Sequence, residues 1–240
     1  PDGFNINRDC GAMAPQSLKE AVKSNNAHAG IALDGDADRI VLVDEKGKVV
    51  DGDQILGALA NAWLKTDELN GGGIVTTVMS NLGLEIYLNS KGLKLCRTHV
   101  GDRYVLEYMR QHGFNLGGEQ SGHIILSDYA STGDGIIAAL QILSIALTEG
   151  KPISEVTCLF EPVPQLLRNI KVKDVNNFND TILKSISETA EKQIGKMGRV
   201  LIRKSGTEEL IRVMVESEDE VLMLKLVDDI NSKLLECEAN

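Results

Sequence analysis

The sequence predicts an α/β protein in three parts: a partial α/β domain, a complete α/β/α domain with a mixed sheet, and a small α+β C-terminal domain. Apolar patterns typical of helices and strands alternate between residues 53 and 160, as in a mostly parallel sheet covered by helices. Pro162 and Pro164 suit a stiff connector, and the order of elements changes after them. The predicted parts are residues 1–50, 51–160 and 166–240, with a linker at 161–165.

The N-terminal part is predicted to hold one helix and two strands. A helix starts at Pro15, an apolar run at 31–33 indicates a buried strand, and a second run at 40–43 is followed by a turn at 44–47. These elements are too few for a complete α/β domain. We therefore expect this part to be the end of a larger domain.

The remaining elements follow in the middle and C-terminal parts. In the middle part we expect strands at 73–78, 93–97, 114–116 and 123–126, and helices around 55–63, 84–91, 102–113 and 134–148. Asp102 is predicted to cap the third of these helices. In the C-terminal part we expect strands at 166–172, 199–202 and 210–216, and helices at 180–194 and 219–235.

Composition and charge narrow the function classes. Of the 240 residues, 42% are hydrophobic and 25% charged, which is typical of a globular protein with a buried core. The net charge of −10, with scattered basic residues, argues against sequence-independent binding to nucleic acid and against anionic membranes. No apolar run approaches the roughly 18 residues that span a bilayer. The four cysteines form no C-x-x-C pair, which argues against a zinc site or disulfide framework and favours a cytoplasmic location.

A metal loop is the strongest functional signal. In Asp34-Gly35-Asp36-Ala37-Asp38-Arg39, three carboxylates alternate directly after an apolar strand, and such oxygen ligands suit Mg²⁺. Arg39 stands where a calcium-binding EF-hand loop needs glycine, which excludes that loop. The alternative is a solvated acidic turn, but three close carboxylates repel one another without a cation. Arg39 would face either a phosphate or one of the aspartates.

Two further loops carry polar groups suited to sugars and phosphates. In the loop 117–123, Glu119 and Ser121 can face sugar hydroxyls and His123 can act as a general acid or base; a structural turn with a structural histidine is the alternative. The loop 203–208 combines cations, hydroxyls and a glycine, which suits a phosphate as well as it suits a polar hairpin. Arg212 follows this loop, on the strand face opposite to its apolar residues.

The three loops, in this order and at these separations, resemble the α-D-phosphohexomutase family over essentially the whole chain. The segments that carry the resemblance are 77–85, 100–105, 118–123 and 203–208. Within the family, the sequences of these four segments are most similar to the bacterial branch that acts on glucosamine phosphate. The resemblance implies a four-domain enzyme that converts glucosamine 6-phosphate to glucosamine 1-phosphate through a phosphoserine and a bisphosphorylated intermediate, for cell-wall precursor synthesis.

The resemblance also implies roles for the loop residues. Mg²⁺ would be held by Asp34, Asp36 and Asp38, and the phosphoserine would be supported by Arg39. The sugar hydroxyls would be bound by Glu119 and Ser121, with His123 nearby for proton transfer. The phosphate that is not transferred would be bound by Arg203, Ser205, Gly206 and Thr207. Three positions depart from the family pattern: Ala37 replaces a glycine, a change expected to matter little, while Glu209 replaces a proline and His99 a lysine.

The family's nucleophile is absent from this sequence. It lies in an N-terminal Ser-His-Asn loop, and no such tripeptide occurs in the 240 residues, which open on Pro1 rather than on methionine. We therefore expect the chain to be the C-terminal portion of the enzyme, namely the tail of domain 2 with domains 3 and 4. The implied partners are sugar phosphates and the missing N-terminal domains, with a homodimer of the whole enzyme left open, and the chain alone is expected to be inactive.

Three other functions compete with this interpretation. A phosphomannomutase or phosphoglucomutase would share the same loops. A haloacid-dehalogenase-like phosphatase would use Asp34 as nucleophile and Asp36 as acid, but Asp38 stands where that motif has threonine or valine, and the two later loops would have no role. The chain could also serve as a non-catalytic module that binds sugar phosphate.

Overall fold

The computed structural model describes residues 2–195, 198–205 and 208–239. The chain divides into two compact units, Pro1–Glu161 and Pro162–Asn240. The predicted regions 1–50 and 51–160 both lie in the first unit, and the boundary between them stays a prediction. None of the helices in the described ranges combines the length and the apolar character that crossing a membrane requires.

The first unit contains six helices and seven strands among its described residues. The helices are α1 (Gln16–Ser24), α2 (Gly52–Thr66), α3 (Leu82–Ser90), α4 (Asp102–His112), α5 (Gly135–Glu149) and α6 (Ile153–Thr157). The strands are β1 (Ala29–Leu33), β2 (Ile40–Asp44), β3 (Val49–Val50), β4 (Gly73–Thr77), β5 (Lys94–Thr98), β6 (Leu116–Gly118) and β7 (Ile124–Leu126). Of these, β3 and α6 were not expected from the sequence.

Two sheets organise this unit. The first is antiparallel, in the order β1-β2-β3, and its register pairs Ala29 with Asp44 and Leu33 with Ile40. The second has the order β5-β4-β6-β7, with β4 parallel to β5 and β6, and β7 antiparallel to β6. The middle sheet is therefore mixed and mostly parallel, as predicted, and its antiparallel edge arises because β6 and β7 form a hairpin that presents the loop 119–123.

The helix α2 forms the centre of the unit. Its Ile55, Leu56 and Leu59 are fully buried among residues of both sheets and of α5. The side chain of Asp51 caps its first turn by accepting a hydrogen bond from the Gln54 amide at 3.0 Å. Burial of each such aliphatic side chain contributes about 1.5–3 kcal/mol, so this helix fixes the sheets relative to each other.

The position of β6 differs from the sequence-based prediction. The strand was predicted at 114–116, but β6 begins two residues later, at Leu116. Its two glycines have low strand propensity, so the sequence pattern did not indicate a strand there. Gly117 lies where a methyl group would stand 2.5 Å from the Met109 sulfur and 2.8 Å from the Val75 carbonyl oxygen. The absence of a side chain therefore lets β6 approach both α4 and β4.

The second unit is a three-stranded antiparallel sheet with two long helices. It contains β8 (Gln165–Lys171), a short 3-10 turn (Val175–Asn177), α7 (Asp180–Ile194), β9 (Gly198–Lys204), β10 (Leu210–Ser217) and α8 (Glu220–Ala239), with the strands in the order β8-β10-β9. The predicted helix 180–194 agrees with α7 at both ends. The apolar face expected for the last helix is buried, at Met223, Val227, Ile230 and Leu234.

Gly52 links the fold to the loop at the β6–β7 hairpin. A methyl group at this position would overlap the carbonyl oxygen of Glu119 and lie 2.8 Å from the Gly122 amide nitrogen. We predict that Gly52→Ala lowers the free energy of unfolding by about 1–3 kcal/mol, since backbone atoms must move to make room. Urea titration followed by circular dichroism measures this change.

The matched control for this variant is Gly57→Ala in the same helix. The nearest atoms to its new methyl group would belong to side chains, namely the Phe160 ring at 3.1 Å and Leu84 at 3.4 Å. Alanine also has the higher helix propensity, so the expected change is below about 1 kcal/mol. Equal losses in the two variants would contradict the role assigned to Gly52.

Candidate functional site

The three aspartates of the metal loop converge in the structure. One oxygen from each of Asp34, Asp36 and Asp38 lies within 4.8 Å of the others. The loop connects β1 to β2 and is closed by the Arg39 amide, which donates to Asp34 Oδ1 at 3.2 Å. This set of carboxylate oxygens can hold a hard metal ion.

The electrostatics of the loop favour a bound cation. Burial raises the pKa of Asp38, and the nearby Asp34 and Asp36 carboxylates raise it further, while His123 acts in the opposite direction. Arg39 provides partial compensation, with its Nε at 3.9 Å from Asp34 Oδ2 and 4.0 Å from Asp38 Oδ1. These separations exceed hydrogen-bond length. Because three carboxylates face one guanidinium, the loop keeps an excess of negative charge.

Ala37 adopts a conformation that favours glycine. Its φ of 62° is left-handed, and its amide donates to the Asp34 carbonyl oxygen at 3.3 Å. An alanine in this region costs about 1–2 kcal/mol relative to ordinary backbone. The turn that gathers the aspartates therefore carries backbone strain at Ala37, and the expectation that this departure matters little for the site stays a prediction.

His123 lies directly against the metal loop. The residue is only 2% exposed, and its Nδ1 stands 3.1 Å from Asp38 Oδ2. Its Nε2 points toward Asp102, whose Oδ2 is 3.9 Å away, and has no hydrogen-bond partner within the described part of the chain. The structure thus joins a predicted metal ligand and a predicted catalytic histidine.

Asp102 has a different role from the one predicted. Gly101 is the N-cap of α4, and no side chain caps this helix end. Asp102 is instead the first helical residue, where its carboxylate faces His123. Its neighbour His99 is exposed and contacts Tyr104 edge-on, with ring centroids 5.7 Å apart, beside a cavity of about 410 Å³.

Glu119 and Ser121 lie on the loop that adjoins the aspartates. Glu119 Oε1 accepts a hydrogen bond from the Gly101 amide at 3.0 Å, and Ser121 Oγ donates to Glu119 Oε2 at 3.3 Å. The two side chains therefore face each other, as their spacing indicated. Their remaining hydrogen-bonding capacity suits hydroxyl groups of a ligand.

Arg203 and Arg212 are cross-strand neighbours in the second unit. They occupy directly paired positions of β9 and β10, so both side chains lie on one face of the sheet. Burial lowers the pKa of Arg203, and the positive charge of Arg212 lowers it further. Arg212 also pairs with Glu208, at 3.4 Å. Two adjacent guanidinium groups favour a multiply charged anion such as phosphate.

The rest of the predicted phosphate loop is described only in part. Ser205 is buried, and its amide donates to the Leu210 carbonyl oxygen at 2.9 Å, which closes the hairpin. Gly206 and Thr207, also predicted to bind phosphate, lie outside the described residues.

Two family models match the chain. Residues 51–163 match the model for phosphoglucomutase/phosphomannomutase, alpha/beta/alpha domain III, and residues 162–233 match the model for the phosphoglucomutase/phosphomannomutase C-terminal domain. Together the matched segments contain the loops at 117–123 and 203–208. The metal loop lies N-terminal to both.

Relatives named phosphoglucosamine mutase cover nearly the whole chain. Those of Parvibaculum lavamentivorans and Brucella anthropi are each 56% identical over 230 residues, which are 96% of this chain and 51% of each relative. The relative from Rhodospirillum centenum is 56% identical over 233 residues, or 49% of its length. The chain thus spans about half the length of these relatives.

Solved structures share the fold at low sequence identity. A crystal structure of Aspergillus fumigatus N-acetylphosphoglucosamine mutase in complex with GlcNAc-6P and magnesium matches 97% of this chain and 54% of that one, with a TM-score of 0.75 and 22% identity. A phosphoglucomutase/phosphomannomutase family protein from Burkholderia thailandensis matches 94% of this chain and 50% of its own, with a TM-score of 0.74 and 20% identity. The geometry, the family models and the relatives agree that the chain belongs to the phosphoglucomutase/phosphomannomutase family, the α-D-phosphohexomutases.

Proposed function

We propose that this chain is the C-terminal half of a phosphoglucosamine mutase, an isomerase that converts glucosamine 6-phosphate to glucosamine 1-phosphate. The observation that carries the proposal is the contact between the three-aspartate loop and the loop 119–123, where His123 Nδ1 lies 3.1 Å from Asp38 Oδ2. The site thereby combines ligands for a metal ion with groups that suit sugar hydroxyls. The 56% identity to proteins named phosphoglucosamine mutase supports the amino sugar over glucose or mannose.

The residues present fit Mg²⁺ at Asp34, Asp36 and Asp38, since all their donors are carboxylate oxygens. When bound, Mg²⁺ supplies positive charge that stabilises the transferring phosphoryl group. Arg39 adds a guanidinium beside the same loop. In the proposed reaction it stabilises the negative charge that this phosphoryl group carries.

The sugar and its other phosphate require separate groups. Glu119 accepts hydrogen bonds from sugar hydroxyls, and Ser121 exchanges them, which orients the ring. His123 Nδ1 lies 3.1 Å from Asp38 Oδ2. In the proposed reaction Nδ1 donates to Asp38, and Nε2 takes a proton from a reacting hydroxyl. Arg203 and Arg212 bind the phosphate that is not transferred, assisted by the loop of Ser205, Gly206 and Thr207.

The phosphatase alternative receives less support. An Asp34 nucleophile would leave the loops at 119–123 and 203–208 without a role, whereas both lie in segments matched by phosphohexomutase domain models. A haloacid-dehalogenase-like reaction is therefore not needed to explain any group at the site.

The chain alone is predicted to show no mutase turnover, because its 240 residues contain no Ser-His-Asn tripeptide to carry the phosphoryl group. A coupled assay for glucosamine 1-phosphate, with the full-length Parvibaculum lavamentivorans relative as positive control, measures this. Turnover by the purified chain at a rate comparable to the control would overturn the assignment of the nucleophile to a separate domain.

Removal of one carboxylate should weaken metal binding. We predict that Asp36→Asn raises the Kd for Mn²⁺ by at least about tenfold, because it removes one charged ligand. The residue is exposed, so the fold is expected to persist. Electron paramagnetic resonance titration reports free Mn²⁺ directly.

The control for metal binding is Asp67→Asn. This exposed aspartate ends α2 in a left-handed conformation, with φ of 60°, that asparagine also tolerates. Its affinity for Mn²⁺ should equal that of the unaltered chain. An equal loss of Mn²⁺ affinity in both variants would indicate a general effect of charge and would contradict the three-aspartate site.

Arg212→Met is predicted to weaken binding of glucosamine 6-phosphate about tenfold or more, since a charge-assisted hydrogen bond contributes about 1.5–3 kcal/mol. Titration calorimetry at two salt concentrations measures the loss, which should shrink at high salt because screening already weakens the contact. Arg168→Met is the control, as Arg168 lies in the same sheet but pairs with Asp228 at 2.6 Å. Unchanged affinity in Arg212→Met would refute the phosphate role.

A further inference from the structure

The ring of His123 packs against Gly133, at a position where any side chain would overlap it. Gly133 faces the ring so closely that a methyl group there would stand 2.5 Å from Cε1 and Nε2 and 2.8 Å from Cδ2. The backbone of Gly133 is held in place by its bridge to Ile125 of β7. The ring therefore cannot move away from the metal loop without displacing a strand-bound segment.

The backbone of His123 is fixed to the same loop that it contacts through its side chain. Arg39 and His123 form a two-residue antiparallel bridge, and the Ile40 amide donates to the Gly122 carbonyl oxygen at 3.0 Å. Since Asp38 immediately precedes this bridge, the separation between His123 and Asp38 is set by main-chain hydrogen bonds. Their side-chain contact is consequently preorganised.

Asp38 is an aspartate that such a contact can orient. It is crowded by two like charges, and its separation from the Arg39 Nε is 4.0 Å. The His123 Nδ1 contact, at 3.1 Å, is within hydrogen-bond distance. An outer group of this kind orients a metal-binding carboxylate, and its loss typically lowers metal affinity 10–100-fold.

We propose that His123 is a positioning residue for Asp38, and that Gly133, because it has no side chain, provides the space that the histidine ring occupies. The Nδ1–H group donates to Asp38 Oδ2 and holds the carboxylate in the orientation that binds the cation. This inference rests on the metal site of the proposed function. It is independent of whether Nε2 also transfers a proton.

The test is Mn²⁺ binding to the whole chain by electron paramagnetic resonance, with two matched substitutions at His123. The amide nitrogen of His123→Asn stands as many bonds from Cβ as Nδ1 does, so this variant should keep the Kd within about threefold. The amide nitrogen of His123→Gln stands as far out as Nε2, so this variant loses the donor to Asp38, and its Kd should rise about 10–100-fold. Gly133→Ala, which displaces the ring and alters no ligand, should match His123→Gln.

Circular dichroism confirms that each variant is folded, and His112→Phe, on the exposed end of α4, controls for loss of a histidine. If Gly133→Ala does not fold, the Asn and Gln pair decides. Equal Kd values for that pair, whether both near the unaltered chain or both raised, overturn the positioning role. Absence of Mn²⁺ binding by the unaltered chain, in contrast, overturns the three-aspartate metal site itself and this inference with it.

Discussion

The hydrogen bonds that hold the loop 119–123 against the start of β2 and the start of α2 determine the geometry of the candidate site in the first unit. The Ile40 amide donates to Gly122 at 3.0 Å, and the Gly52 amide donates to Gln120 at 3.1 Å, so the loop 119–123 is held from two sides. Gly122 has a φ of 93°, and any side chain there would overlap the Ile40 carbonyl oxygen. This close approach places His123 beside Asp38, with its Nδ1 at 3.1 Å from Oδ2.

Under the proposed function, local charge distribution explains how a protein with a net charge of −10 can bind an anionic ligand. The acidic groups of the metal loop repel one another, which makes them ligands for a cation and not a barrier to phosphate once a cation is bound. Elsewhere, Arg203 and Arg212 concentrate positive charge on one sheet face. Net charge is a sum over the whole chain, so it gave no information about these local fields.

Much of the fold followed from periodicity, while the supporting contacts of the site did not. The helix predicted at 180–194 agrees with α7 at both ends, and in the structure the Asn179 side chain caps its first turn. The two-residue β3 and the five-residue α6 are too short for a periodic pattern to emerge. The same limit applies to β6, whose glycines resemble a loop.

The convergence of the three aspartates could be predicted because they lie within five residues of one another in the sequence. Asp102 and Gly133 contribute through long-range contacts, one facing His123 and the other supporting its ring. In sequence, the first resembles a helix cap and the second an ordinary loop residue. Only the hairpin of β6 and β7 brings them to the same histidine.

The division of the chain matches the chemistry of a sugar phosphate. Such a ligand has hydroxyl groups that donate hydrogen bonds and a phosphate that only accepts them at full ionisation. The first unit presents acceptors at Glu119 beside its metal loop, and the second presents donors at Arg203 and Arg212. In the proposed reaction the intermediate carries a phosphate at each end. Guanidinium groups recognise negative charge and planar pairs of oxygen atoms, so Arg203 and Arg212 can bind either phosphate in turn.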